Sequence, residues 1–164
     1  MSTKADYTPE EWQLLLDVPP LVGTAVMVAG KSGLGSMKEA FALASGVLGA
    51  KDGYEGNELI NSLIEARMKE GDRSEVEQFA TNPYRGKPPE EIADAAVEKC
   101  GQAVSLLNEK STPEEASGFK AWSIAVGEKV ANAAKEGGFL GIGGERVSEA
   151  EKEVLAAVSQ ALGV

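Results

Sequence analysis

One short pattern, a hydroxyl residue followed three positions later by glutamate, occurs four times in this chain and constrains its fold most strongly. Each copy matches a capping box, in which the hydroxyl accepts from the third N–H of a helix and the glutamate accepts from the capping residue. Two copies place proline at the first helical position, where no N–H is needed. The pattern predicts helices that begin at residues 8–11, 36–39, 112–115 and 148–151.

Apolar side chains recur every three or four positions behind these starts, which is the spacing of one helix face. Pro19 and Pro20 predict a break, with a second helix from Pro20 to about Ala29. Segment 82–89, with three prolines, predicts a loop. A short helix is expected around Val76 and Phe79. The stripes predicted to face inward are Trp12, Leu15 and Leu16; Met37, Ala40, Phe41, Ala44 and Leu48; Leu59, Ile60, Leu63, Ile64 and Met68; Ile92, Ala96, Cys100, Ala103 and Leu107; Phe119, Trp122, Val126, Val130 and Ala133; and Ala150, Val154, Val158 and Ala161.

No segment alternates convincingly between apolar and polar residues, so we predict no β-sheet. The expected fold is an all-α, compact bundle of about six to seven helices. A chain of 164 residues has the usual size of one domain. We therefore predict a flexible tail over residues 1–7 and a single helical domain over residues 8–164.

The net charge of −10 and the absence of histidine exclude several function classes. An acidic chain repels phosphate backbones, so we expect no nucleic-acid partner. Without histidine, neither a Ser-His-Asp nor a Cys-His relay can be built. A carboxylate-dependent hydrolase is an alternative, but most acids fall at helix starts or outer faces, so we predict no enzymatic activity. The lone Cys100 is expected to be a buried, inert side chain.

The cellular location follows from two further features. The start of the chain is polar and lacks a basic-then-apolar signal pattern. The most apolar run, residues 19–30, is shorter than the roughly 20 residues that span a bilayer. We therefore expect no integral membrane segment and a cytoplasmic protein.

The chain contains signs of an internal repeat. In each half, an apolar helix leads through a glycine-rich stretch to a capped helix, and this order predicts two units related by a pseudo-twofold axis. An offset of 104 relates the first helices and an offset of 112 relates the second. The matching pairs are residues 8–11 with 112–115, Gly23 with Gly127, Ala29 with Ala133, Ser36 with Ser148, Glu39 with Glu151, and Leu43 with Leu155.

This repeated unit, over residues 10–50 and 112–164, resembles the TerB (tellurite-resistance) family and its wider TerB-like relatives. The resemblance implies an all-α domain without enzymatic activity, associated with stress response, divalent-cation binding and protein partners at the inner membrane face. Glu39 and Glu151 match the family glutamates. The aspartate that usually precedes the family's glycine is absent, because the matching places hold Ser32-Gly33 and residues 141–144.

Two loops contain the candidate contact residues. Phe139, Leu140 and Ile142 lie among the glycines of segment 137–144, and Tyr84 and Arg85 lie in the proline-framed loop. The three apolar residues of segment 137–144 either bind a partner or fill the end of the bundle. The loop that contains Tyr84 and Arg85 is either a contact site or a solvated connector. We predict a non-enzymatic interaction domain that binds a protein partner or itself and needs no cofactor. The alternative is a divalent-cation-binding regulator that uses Glu39 and Glu151.

Overall fold

The computed structural model describes residues 2–30, 37–49, 53–70, 84, 86–135 and 147–164. Over these residues the predicted all-α bundle is confirmed, since they form six α-helices and no strand. The helices are α1 (Pro9–Ala29), α2 (Met37–Leu48), α3 (Glu58–Glu70), α4 (Pro89–Lys110), α5 (Pro113–Lys135) and α6 (Glu149–Leu162). The helix predicted around Val76 and Phe79 lies outside the described residues.

Three of the four predicted capping boxes are present. At the start of α1, the Thr8 N–H donates to Glu11 Oε2 at 2.8 Å, and the Glu11 N–H donates to Thr8 Oγ1 at 3.3 Å. The boxes at residues 112–115 and 148–151 have the same reciprocal pair of bonds. The side chains of box 36–39 lie outside the described part of the chain.

Three long helices, α1, α4 and α5, contribute most of the core, and α2, α3 and α6 pack against them. The inward stripe predicted for α4 is confirmed over its whole length, and that of α3 is confirmed except at Met68, whose side chain is 52% exposed. On α6, Ala150 is exposed and Leu162 is buried instead. The largest fully buried side chains are Phe119, Leu15, Leu59, Ile60, Leu63, Ile64, Leu107 and Leu162.

Helices α1 and α5 run side by side in the same direction, because contacts at sequence separations of 103 to 105 occur both before their first turns and farther along them. The hydroxyls of Tyr7 and Ser111 are 2.7 Å apart just before the two helices begin. Farther along, a Cβ added to Gly23 would lie 3.0 Å from Val126, and one added to Gly127 would lie 3.0 Å from Val22. These contacts are reciprocal, as the pseudo-twofold relation requires, and that relation stays a prediction.

The predicted break at the proline pair is wrong, because α1 continues through Pro19 and Pro20 without interruption. An interior proline removes the N–H that would bond four residues back, so Pro20 leaves the Leu16 carbonyl without its usual donor. The Arg67 side chain on α3 replaces that donor, with its Nη2 donating to the Leu16 oxygen at 2.8 Å. The Asp17 carboxylate lies 3.6 Å from the same nitrogen. A side chain from α3 therefore supplies the hydrogen bond that α1 lacks at Leu16.

A double-mutant cycle tests this substitution of donors. Arg67→Met should lower the free energy of unfolding by about 1–3 kcal/mol, because the Leu16 carbonyl loses its partner. In a Pro20→Ala background, the new N–H bonds to that carbonyl within α1, so the same change should be roughly 1 kcal/mol less harmful. Urea unfolding of the four proteins measures the coupling. A coupling indistinguishable from zero would contradict the assigned role of Arg67.

By length and composition alone, α1 is long and apolar enough to cross a bilayer. The shorter run over residues 19–30, on which the sequence prediction rests, did not indicate this. Core helices of soluble proteins meet the same two criteria. In this structure α1 has ten buried residues and lies between α4 and α5.

Residues 2–7, which the sequence predicts as a flexible tail, pack on the corner between α4 and α5. The Ser2 N–H and hydroxyl donate to the two carboxylate oxygens of Glu115 at 2.6 and 2.8 Å. Burial opposes ionisation of Glu115, but N–H groups of Ser2 and Thr112 donate to it, and the net effect lowers its pKa below the ordinary value. Tyr7 is buried beside Trp12, with ring centroids 5.8 Å apart.

Lys110 ties the same corner to α1. Its ammonium lies 2.6 Å from Glu11 Oε2 and donates to the Asp6 carbonyl at 3.4 Å. The hydrogen bond between Lys110 and Glu11 raises the pKa of the lysine and lowers the pKa of the glutamate. Sequence reasoning missed this contact because its partners are 99 positions apart.

Candidate functional site

The predicted contact residues occupy different settings. Phe139, Leu140, Ile142 and Arg85 lie outside the described residues. Tyr84 is half-buried and packs against the core. Burial raises the pKa of Tyr84, and the carboxylates of Asp17 and Glu98 add to this effect. Part of the Tyr84 side chain therefore belongs to the core.

Glu151 is the predicted metal ligand that the structure describes fully, and it is buried, with 3% exposure. Its Oε2 accepts from the N–H and the hydroxyl of Ser148, both at 2.7 Å. Among the described residues, its Oε1 is buried without a hydrogen-bond partner. A Cβ added to Gly30 would lie 3.3 Å from that oxygen, so the end of α1 approaches the start of α6 closely.

The rest of the predicted metal site is not assembled by the described residues. Glu39 lies on α2, but its side chain is outside the described part. Among described residues, no group of three or more Asp, Glu, Cys or His side chains is placed to hold a metal ion. Glu151 alone offers one oxygen where calcium requires six to eight.

Cys100 lies on the inner face of α4 and is fully buried. Burial in apolar surroundings raises the pKa of its thiol to about 12. At neutral pH the side chain is therefore a thiol, whereas the thiolate is the nucleophilic form. The expectation of an inert cysteine agrees with this environment.

The orientation of α2 contradicts the sequence prediction. Its buried face consists of Ala42 and Val47, with Leu43 half-buried, instead of the predicted stripe. Gly46 lets this helix approach α5 closely, because a Cβ there would lie 3.4 Å from the Val126 backbone. The Trp122 Nε1–H also donates to the Gly46 carbonyl at 3.2 Å. Because these contacts fix the inner face of α2, the described members of the predicted stripe, which are Ala40, Phe41, Ala44 and Leu48, face outward.

The result is an exposed apolar surface, which we call the α2 face and define as Ala40, Phe41, Ala44 and Leu48. These positions lie within about 100° of arc on the helix and are all exposed. Phe41 is 75% exposed and Leu48 is 38% exposed. A large aromatic side chain with this exposure is unusual on a helix surface that contacts only water. Sequence reasoning identified these residues but assigned them to the core.

Charge is absent from the centre of the α2 face. The described side chains of α2, residues 40–48, include no acid and no base. Each of the other five helices carries exposed carboxylates among its described side chains. On the inner side of α2, opposite this face, the alkyl chain of Lys129 passes beside Gly46, with its Cδ 3.6 Å from the position of an added Cβ. The α2 face can therefore associate through apolar contact.

No family model, curated protein or solved structure matches the chain.

Proposed function

We propose that this protein is a non-enzymatic interaction domain that associates with a second copy of itself through the α2 face. The observation that carries the proposal is the side chain of Phe41, which is 75% exposed on a helix face without charge. Buried aromatic side chains dominate the binding energy of many protein interfaces. Covering Phe41 and Leu48 removes apolar surface from water, which favours association.

The charge distribution favours a second copy over a basic partner. A basic partner would be attracted to the carboxylates on the outer surfaces of α1 and α4, since charge complementarity selects such surfaces. The α2 face has no carboxylate to attract such a partner. Two copies that each carry a net charge of −10 can approach best where neither presents carboxylates. The same face on both copies satisfies this condition and gives a twofold-symmetric contact, which is the commonest arrangement in homodimers.

The predicted counterpart of α2 supports a specific role for its outer face. In the internal repeat, α6 corresponds to α2, with an offset of 112. The four positions on α6 that match the α2 face are all exposed and hold Lys152, Glu153, Ala156 and Gln160. A helix in this position can therefore have a polar outer face. The apolar face on α2 is not a requirement of the fold.

Two features support the absence of catalysis in this proposal. The chain contains no histidine, and its single thiol is buried and protonated at neutral pH. The resemblance to the TerB-like family supports an interaction role in the bacterial stress response. The alternative of a cation-binding regulator is supported only by the unpartnered oxygen of Glu151.

Sedimentation equilibrium of the full chain, from about 1 μM to about 1 mM, tests the proposal. We expect the average mass to rise with concentration from 17.1 kDa toward twice that value. Phe41→Ser should weaken association about tenfold or more, because the interface loses its largest apolar side chain. Met68→Ser is the matched control, since it removes another exposed apolar side chain on α3 and should leave association unchanged.

The salt dependence provides a second criterion. Association of two acidic copies through apolar contact should become tighter between about 0.05 and 0.5 M NaCl, because salt screens their mutual repulsion. A contact based on opposite charges would weaken instead. A chain that stays monomeric at every concentration and salt level would refute the proposal, and so would equal effects of Phe41→Ser and Met68→Ser.

A further inference from the structure

We propose that residues 2–7 form a strap that detaches from the bundle as a unit while the six helices stay folded. The strap packs on the corner where α4 meets α5, far along the sequence from its own position. This inference concerns a different part of the molecule from the α2 face and does not depend on the proposed function.

The contacts that hold the strap are few and mostly polar. At one end, Ser2 is buried and bonds to Glu115 and, at 3.3 Å, to the Lys110 carbonyl. At the other end, Tyr7 is buried and its hydroxyl is 2.7 Å from that of Ser111. The four residues between these ends are all exposed. Tyr7 is therefore the one strap residue that buries a large apolar side chain, and segments with few such contacts open at a low free energy.

The strap also satisfies much of its own hydrogen bonding. The Thr3 N–H and hydroxyl donate to the Asp6 carboxylate at 2.7 and 3.0 Å, and the Asp6 N–H donates to the Thr3 carbonyl at 3.0 Å. These bonds form a short 3₁₀ turn over Lys4–Asp6. Because these bonds lie within the strap, they do not themselves hold it to the bundle.

The helices next to the strap keep their own caps after it opens. Thr8 and Glu11 cap α1, and Thr112 and Glu115 cap α5, without any atom of the strap. Tyr7, the last residue of the strap, has an extended backbone that any residue can adopt. Opening at this point uncovers the Glu115 carboxylate and one side of the Trp12 ring.

Native-state hydrogen exchange of the full chain tests the strap directly. We expect the amides of Asp6 and Tyr7 to exchange much faster than those of α5, at rates that low denaturant concentrations do not change. Ser2→Ala removes the hydroxyl that donates to Glu115 at 2.8 Å, with the Lys110 carbonyl as its alternative acceptor, and should accelerate exchange of both strap amides about tenfold, with α5 unaffected. Tyr7→Phe removes the bond to Ser111 and should act in the same direction.

A matched control and a second measurement complete the test. Ser105→Ala removes a serine hydroxyl that bonds only within α4, to the Gly101 carbonyl, and should change no strap amide. Trypsin should cleave after the exposed Lys4 faster in Ser2→Ala than in the unmodified chain. The proposal is overturned if strap and α5 amides share one rate and one denaturant dependence, or if Ser2→Ala accelerates all amides equally.

Discussion

Gly127→Val is expected to lower the free energy of unfolding by roughly 3 kcal/mol, one of the two largest effects we predict for this chain. A Cβ at Gly127 would lie 2.9 Å from Leu155 Cδ2, 3.0 Å from Val22 Cγ1 and 3.3 Å from Val26 Cγ2. The end of a leucine side chain can move aside, but the two valines are stiff at their first side-chain torsion and lie in the core. The two additional methyl groups of valine would force α1 and α5 apart.

Gly101→Val is the matched control, because Gly101 lies in the interior of α4 with nothing within 4 Å of an added Cβ. The same substitution there should stabilise the chain by a few tenths of a kcal/mol, since valine has a better helix propensity than glycine. Urea unfolding of both variants measures the difference. Equal effects at the two positions would contradict the close approach of α1 and α5.

Phe119→Ala is expected to lower the free energy of unfolding by about 3–5 kcal/mol, because the ring is fully buried and its removal leaves a cavity. The ring also packs edge-on against Trp122, with centroids 5.9 Å apart. Phe41→Ala deletes the same atoms from the α2 face and should change stability by no more than about 0.5 kcal/mol in the monomer. Thermal and urea unfolding at low protein concentration test both variants.

The pair also tests the orientation of α2. If Phe41 faced the core, as its spacing in the sequence predicts, the two substitutions would have similar effects. A loss of several kcal/mol for Phe41→Ala would therefore contradict the assignment of Phe41 to an exposed surface.

The helices were predictable because their signals are local. Three capping boxes formed at the expected residues, and the inward stripe of α4 is buried as its spacing predicts. Each such signal depends on residues that are at most four positions apart. No partner elsewhere in the chain is needed to recognise it.

The face of α2 was not predictable for a physical reason. Over residues 40–48 the helix has only small or apolar side chains apart from one serine, so two opposite stripes look equally suited to the core. The choice between them depends on Gly46 and its approach to Trp122 and Val126, which lie on α5. Phe41 was therefore assigned to the wrong side, and the candidate site was missed with it.

The candidate contact residues in the loops also could not be assigned from the sequence alone. The loop residues Phe139, Leu140, Ile142 and Arg85 were selected for their composition, and they lie outside the described residues. Their assignment stays a prediction. Tyr84, selected on the same grounds, packs partly against the core, which no local pattern indicated.

The continuity of α1 through its prolines has a consequence for the order in which the chain folds. A nascent chain that has emerged from the ribosome only as far as α2 lacks Arg67, so the Leu16 carbonyl has no side-chain donor. Such an isolated segment, with two prolines in its interior, cannot sustain one uninterrupted helix. The first helix in sequence is therefore among the later ones to reach its final form, after α3 has docked.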